Sequence, residues 1–180
     1  CMTMFCNSFV AVFYCFEQWL EALSVSPNWR GILLSSMFVM VLIFRQVASV
    51  VLLRRGKLLP MAVSILISGG VMLAYPYVGG THLVGMVLLL RVVQGISLSV
   101  FSCCTVSVLV SCIPKGQSAR GFAIFSLTLL LPYSIIPAVG EQILPLLGDE
   151  THLFACTALL AIPSLLMLIP LAPRLRKPEM

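Results

Sequence analysis

Five side chains could carry chemistry from within otherwise apolar runs: Arg91 and Gln94 in "VLLLRVVQGISLSV", Arg45 in "LIFRQVAS", Glu17 in "FEQWL" and Glu141 in "AVGEQ". Between His82 and Lys115 the only formally charged residue is Arg91, and the nearest acid in sequence is Glu141. A cation so placed needs a polar cavity, an anion or an acid beside it, because an unpaired buried charge is strongly disfavoured. Carboxylates in apolar surroundings are candidate proton relays, since burial raises their pKa and a nearby arginine lowers it. Gln94 could add hydrogen bonds to the same cavity. Arg45 is close enough to one helix end for its head to reach the headgroup layer.

The elements that hold these groups follow from composition. The 180 residues are 60% hydrophobic and 9% charged, with a mean hydropathy of +1.09, whereas a soluble domain carries about 25% charged residues. This is the composition of a membrane protein. About 20 apolar residues span the ~30 Å hydrocarbon layer as a helix, and six stretches approach that length. They run from about Met2 to Leu23, Gly31 to Leu53, Leu58 to Val78, Leu83 to Ile113, Gly121 to Leu147 and Leu153 to Leu171. The expected fold is therefore all-α, a polytopic bundle forming one six-helix transmembrane domain over residues 1–180.

Basic residues orient the bundle, because short cytoplasmic loops are rich in Lys and Arg. Arg54, Arg55 and Lys57 follow the second span, Lys115 and Arg120 the fourth, and Arg174, Arg176 and Lys177 the sixth; the opposite side carries Arg30 alone. Both termini are expected in the cytoplasm, with the chain in the cell (inner) membrane. The same asymmetry accounts for the net charge of +5 without a nucleic-acid partner, which would need a concentrated basic face.

Enzyme signatures are missing: no G-x-S-x-G and no H-E-x-x-H occurs. The seven cysteines lie in or beside the spans without C-x-x-C spacing, and His82 and His152 lack companion ligands, so neither a metal nor a cofactor is expected. In the fourth span Gly95, Ser99, Cys103, Ser107 and Ser111 recur every four residues, a stripe that lets a neighbouring backbone approach closely. The fifth span holds Pro132, Pro137 and Pro145, each removing a backbone donor.

Three segments, "SVVLLRRGK" (49–57), "RVVQG" (91–95) and "SIIPAVGE" (134–141), together resemble motifs of the major facilitator superfamily. "SVVLLRRGK" (49–57) is similar to the loop after the second helix of that family, with Arg54, Gly56 and Lys57 in matching places. "RVVQG" (91–95), followed by Pro114 and Arg120, is similar to the R-x-x-Q-G motif of the fourth helix. "SIIPAVGE" (134–141) is similar to the G-P-x-x-G core associated with exporters, through Pro137 and Gly140. The resemblance covers nearly the whole chain and corresponds to the amino-terminal six-helix half of such a transporter.

It implies a 3+3 inverted repeat and secondary active transport of a small-molecule substrate by alternating access, with proton coupling and export. It also implies a second six-helix half, from the same full-length chain or a paired unit, and a lipid bilayer around both. Arg91, Glu141, Glu17, Gln94 and Arg45 become the substrate and coupling candidates, Arg54, Gly56 and Lys57 a gating loop, and Pro137 with Gly140 a hinge. The competing expectation is a non-transporting membrane scaffold or assembly protein, which would not need a charge at mid-span.

Overall fold

The computed structural model describes residues 2–52, 57–80, 82–114 and 116–170. Helices make up nearly all of it, and there is no strand among the described residues. In chain order they are α1 (Met2–Ala11), α2 (Phe16–Ala22), α3 (Pro27–Leu52), α4 (Leu58–Ala74), α5 (Leu83–Cys112), α6 (Ser118–Leu147), α7 (Glu150–Thr157) and α8 (Ala161–Leu166).

Four segments are single helices long and apolar enough to cross a membrane: Pro27–Val50, Leu58–Tyr77, Leu83–Cys112 and Ser118–Leu147. The first and last of the six expected spans are not. A 3₁₀ turn at Val12–Cys15 divides the first into α1 and α2, and another at Ala158–Leu160 divides the last into α7 and α8. Neither interruption contains a Gly or Pro, but Pro163 withholds the donor that the Leu159 carbonyl would receive and crowds that carbonyl, so local sequence announces the second break and not the first. In the first span the tightened turn coincides with Phe13, whose ring packs on Phe16, Tyr75 and Phe154. Tertiary packing therefore accompanies the change of pitch.

Several boundaries are written locally. α3 begins on Pro27, whose missing donor costs nothing in a first helical turn. α6 ends at Gly148, which takes a φ of 75° and donates its N–H to the Leu144 carbonyl, the left-handed cap that glycine adopts without steric penalty. Asp149 then caps α7, accepting from the Thr151 N–H at 3.4 Å and the Thr151 hydroxyl at 2.7 Å. Between α2 and α3 the Arg30 guanidinium reaches Glu21 at 3.4 Å and donates from Nε to the Val25 carbonyl at 2.8 Å, tying down the turn.

α5 lies at the centre, with α3 packed along one side and α4 along another. The close α3 crossing is made by Gly95: a Cβ there would stand 2.6 Å from the Met37 carbonyl oxygen and 2.8 Å from the Met40 Cβ. Farther along, Cys103 Sγ donates to the Arg45 carbonyl at 3.6 Å. These contacts make the small-residue stripe of the fourth span a packing seam against α3. The α4 contact is polar, with the Ser97 hydroxyl 2.9 Å from Ser68 Oγ and 2.6 Å from the Ser64 carbonyl oxygen. α1 packs on α6 through Thr3 and Thr128, whose hydroxyls are 2.8 Å apart, and α7 and α8 close against α4.

Large apolar side chains cover the outside, among them Leu42, Ile43 and Val50 on α3 and Leu127, Leu130 and Leu146 on α6. A surface so apolar suits lipid, where such side chains carry no hydration cost.

Candidate functional site

Arg91 is the largest fully buried side chain among the described residues, at 2% exposure. Its guanidinium carbon lies 3.8 Å from the Phe13 ring centroid and 3.7 Å from that of Phe16. Those rings stand edge-to-face, 5.3 Å apart at 85°. Phe13 and Phe16 are three residues apart, so one face of the first span brings both to α5. Trp19, three residues further, continues the stripe and packs with Tyr75 and Phe154 to complete an aromatic cluster. Ring quadrupoles attract a cation, by about 2 kcal/mol or more when the contact is desolvated.

Hydrogen bonding leaves the same guanidinium largely unspent. Nη1 donates to Met37 Sδ at 3.6 Å, a weak acceptor, and Nε has no partner. Neither Glu17 nor Glu141 pairs with it; the carboxylate of Glu21 pairs instead with Arg30. The expected pairing fails for a helical reason. Glu17 follows Phe16, which is fully buried, and consecutive helical residues diverge by about 100°, so its carboxylate is exposed. Glu141 likewise follows Gly140, which faces the first span, and is exposed.

A cleft of about 250 Å³ adjoins Arg91, lined also by Phe13, Tyr14, Leu34, Met37, Phe38, Tyr133 and Pro137. Its walls thus come from the first span, α3, α5 and α6. The buried Tyr14 hydroxyl has no hydrogen-bond partner. Tyr14 also fixes the distance to α6, because a Cβ on Gly140 would fall 2.5 Å from its hydroxyl oxygen. Of the two positions expected to form a hinge, Pro137 lines the cleft and Gly140 carries this close contact.

The remaining expected site residues lie elsewhere. Gln94 is buried beside a separate void of about 10 Å³, where Nε2 donates to the Phe9 carbonyl at 3.2 Å and Oε1 is unpartnered. Arg45 is exposed on α3. Lys57 stands just before α4, and Arg54 and Gly56 lie outside the described residues. Among the described residues no three His, Cys, Asp or Glu side chains converge as a metal site would require.

Sequence reading found the cation but not its surroundings. Phe13, Phe16, Tyr14 and Met37 were legible only as apolar content, although the three-residue spacing of Phe13, Phe16 and Trp19 opposite a lone intramembrane arginine is a signal that could have been used. Comparison with family models gives no match for this chain, and comparison with curated proteins gives none.

Proposed function

We propose that the chain is a six-span half of a secondary active transporter, built as a major facilitator-type bundle and carrying a small solute by alternating access. The observation that carries this reading is Arg91: a cation 2% exposed, without a carboxylate, on the wall of a cleft shared by four helical segments. A packing scaffold has no use for so costly a group at that depth.

The packing pattern supports the 3+3 arrangement. If the interrupted α1–α2 and α7–α8 segments count as the first and sixth spans, exchanging the first three spans with the last three preserves the pairings between the two sets, although among the described residues the fifth–sixth contact has no comparable second–third one. The second packs on the fourth as the fifth packs on the first; the third packs on the fourth as the sixth packs on the first; and the third packs on the sixth. Inverted repeats produce such exchange symmetry. In this reading both termini are cytoplasmic, and a second six-span unit closes the cleft. Glu141, beside the Pro137 and Gly140 contact with Tyr14, is the proton-coupling carboxylate of an exporter.

Alternating access is tested with single cysteines at Met37 and Tyr133, introduced into a cysteine-free protein in sealed membranes. Impermeant thiol reagents should reach these sites from either face, with the balance shifting when a pH gradient is imposed. A cysteine at Gly116 should react only from the cytoplasmic side. Cleft cysteines that react from one side alone under every gradient would refute transport.

A further inference from the structure

We infer that the Arg91 cleft binds a small organic monocarboxylate with a compact apolar body. The inference rests on the proposed transport cleft and names the class of its substrate. Four features on the cleft wall define the ligand. Arg91 is a single positive charge, 98% withdrawn from solvent, and the cleft lining contains no second cation and no acid. One negative charge neutralises it; a dianion such as a phosphate monoester would leave charge uncompensated where charge is most costly.

The second feature is donor supply. Phe13 and Phe16 stabilise the cation through their rings, which consume none of its N–H groups, and Met37 Sδ is a weak acceptor for one of them. Nε is unpartnered, as is the hydroxyl of Tyr14, which rests against Gly140, and both residues line the cleft. A carboxylate matches the spacing of guanidinium donors and accepts several hydrogen bonds at once. The third feature is the apolar remainder of the wall, Leu34, Phe38 and Pro137 among it, which suits an aromatic or branched hydrocarbon body.

The fourth is size. The part of the cleft walled by this chain is about 250 Å³, just below the range of about 300–1,000 Å³ usual for ligand clefts, so a small acid fits it without space from the second unit. A carboxylate on an apolar body could reach the cleft from water as a short acid or from the bilayer as a fatty acid. The volume favours the first.

The test is equilibrium binding of radiolabelled benzoate to the purified full chain in nanodiscs. Wild type should bind saturably, with competition by hexanoate and none by benzamide, which keeps the shape and lacks the charge. Arg91→Lys should weaken binding by about tenfold or more and Arg91→Leu should abolish it. Tyr14→Phe, which preserves the ring packed on Gly140, should weaken binding several-fold while leaving the unfolding midpoint near wild type. That variant keeps the test informative if Arg91→Leu does not fold.

Absence of benzoate binding, equal competition by benzamide, or wild-type binding by a folded Arg91→Leu protein would overturn the assignment. Stronger competition by palmitate than by hexanoate would overturn it in favour of a membrane-derived ligand. The two readings separate cleanly. If benzoate does not bind but the cleft cysteines still change sides, the ligand class is wrong and transport stands. If benzoate binds with this specificity to a protein whose cleft cysteines never change sides, the carboxylate site stands and transport fails.

Discussion

Gly95→Ala is expected to destabilise the bundle, whereas Gly70→Ala should leave it unchanged or strengthen it. Both glycines lie inside helices, where alanine is intrinsically favoured by about 0.5–1 kcal/mol. They differ in what the new methyl meets. At Gly70 nothing lies within 4 Å. At Gly95 the methyl falls 2.6 Å from the Met37 carbonyl oxygen and 2.8 Å from Met40 Cβ. A backbone oxygen cannot rotate aside, so α3 and α5 must separate, loosening contacts along their shared length.

Overpacking of this kind costs about 1–3 kcal/mol, which against the propensity gain of about 0.5–1 kcal/mol leaves a net loss of up to about 2.5 kcal/mol. The assay is equilibrium unfolding of the purified protein in mixed dodecyl maltoside and dodecyl sulfate micelles, followed by far-ultraviolet circular dichroism. The midpoint should fall for Gly95→Ala and hold or rise for Gly70→Ala. A Gly95→Ala midpoint at or above wild type would refute the close crossing, and with it the placement of Arg91 four residues, about one helical turn, away.

Phe16→Leu keeps most of the buried volume but removes one ring from the Arg91 guanidinium; a loss of about 1–2 kcal/mol is expected in the same unfolding assay, and no loss would show that the ring contact carries no energy. The Asp149 carboxyl lies outside the membrane-spanning segments. Burial alone would raise its pKa, but hydrogen bonds from the Thr151 hydroxyl and N–H, with help from Glu150 and His152, outweigh that and hold it below the ordinary 3.8. A lowered folded-state pKa gives stability that is complete above the ordinary value and is lost as pH falls through the folded one. Asp149→Ala should therefore cost about 0.5–2 kcal/mol at neutral pH, and its deficit should shrink in unfolding curves recorded at pH values well below 3.8; an equal deficit at both would refute the cap. Glu141→Gln should remove the pH dependence of benzoate flux in proteoliposomes while leaving benzoate binding intact, and an unchanged pH profile would exclude Glu141 as the coupling group.

Membrane residence and the approximate places of the helices were legible in the sequence alone, because hydrocarbon imposes its thickness and its intolerance of unpaired backbone on any chain that crosses it. The apolar stretches beginning at Gly31, Leu58, Leu83 and Gly121 each became one long helix. The stripe headed by Gly95 was legible as a packing seam for a related reason, since the period of a helix converts spacing into a face. Local chemistry also marked the turn at Gly148 and Asp149, where one residue's φ and one side chain's reach decide the outcome.

The surroundings of Arg91 were decided only by the tertiary structure. Which groups meet a buried cation depends on how helices far apart in sequence rotate about their axes. A rotation of about 100° per residue separates a buried Phe16 from an exposed Glu17. Charge complementarity read along the sequence favoured the carboxylates, but packing brought Phe13, Phe16 and Met37 to the guanidinium and kept Glu17 and Glu141 outside. The break at Val12–Cys15 belongs to the same class. No residue in it demands a change of pitch; it coincides with an aromatic cluster assembled from the first span, α5's Arg91, Tyr75 and Phe154, which exists only once the bundle has closed.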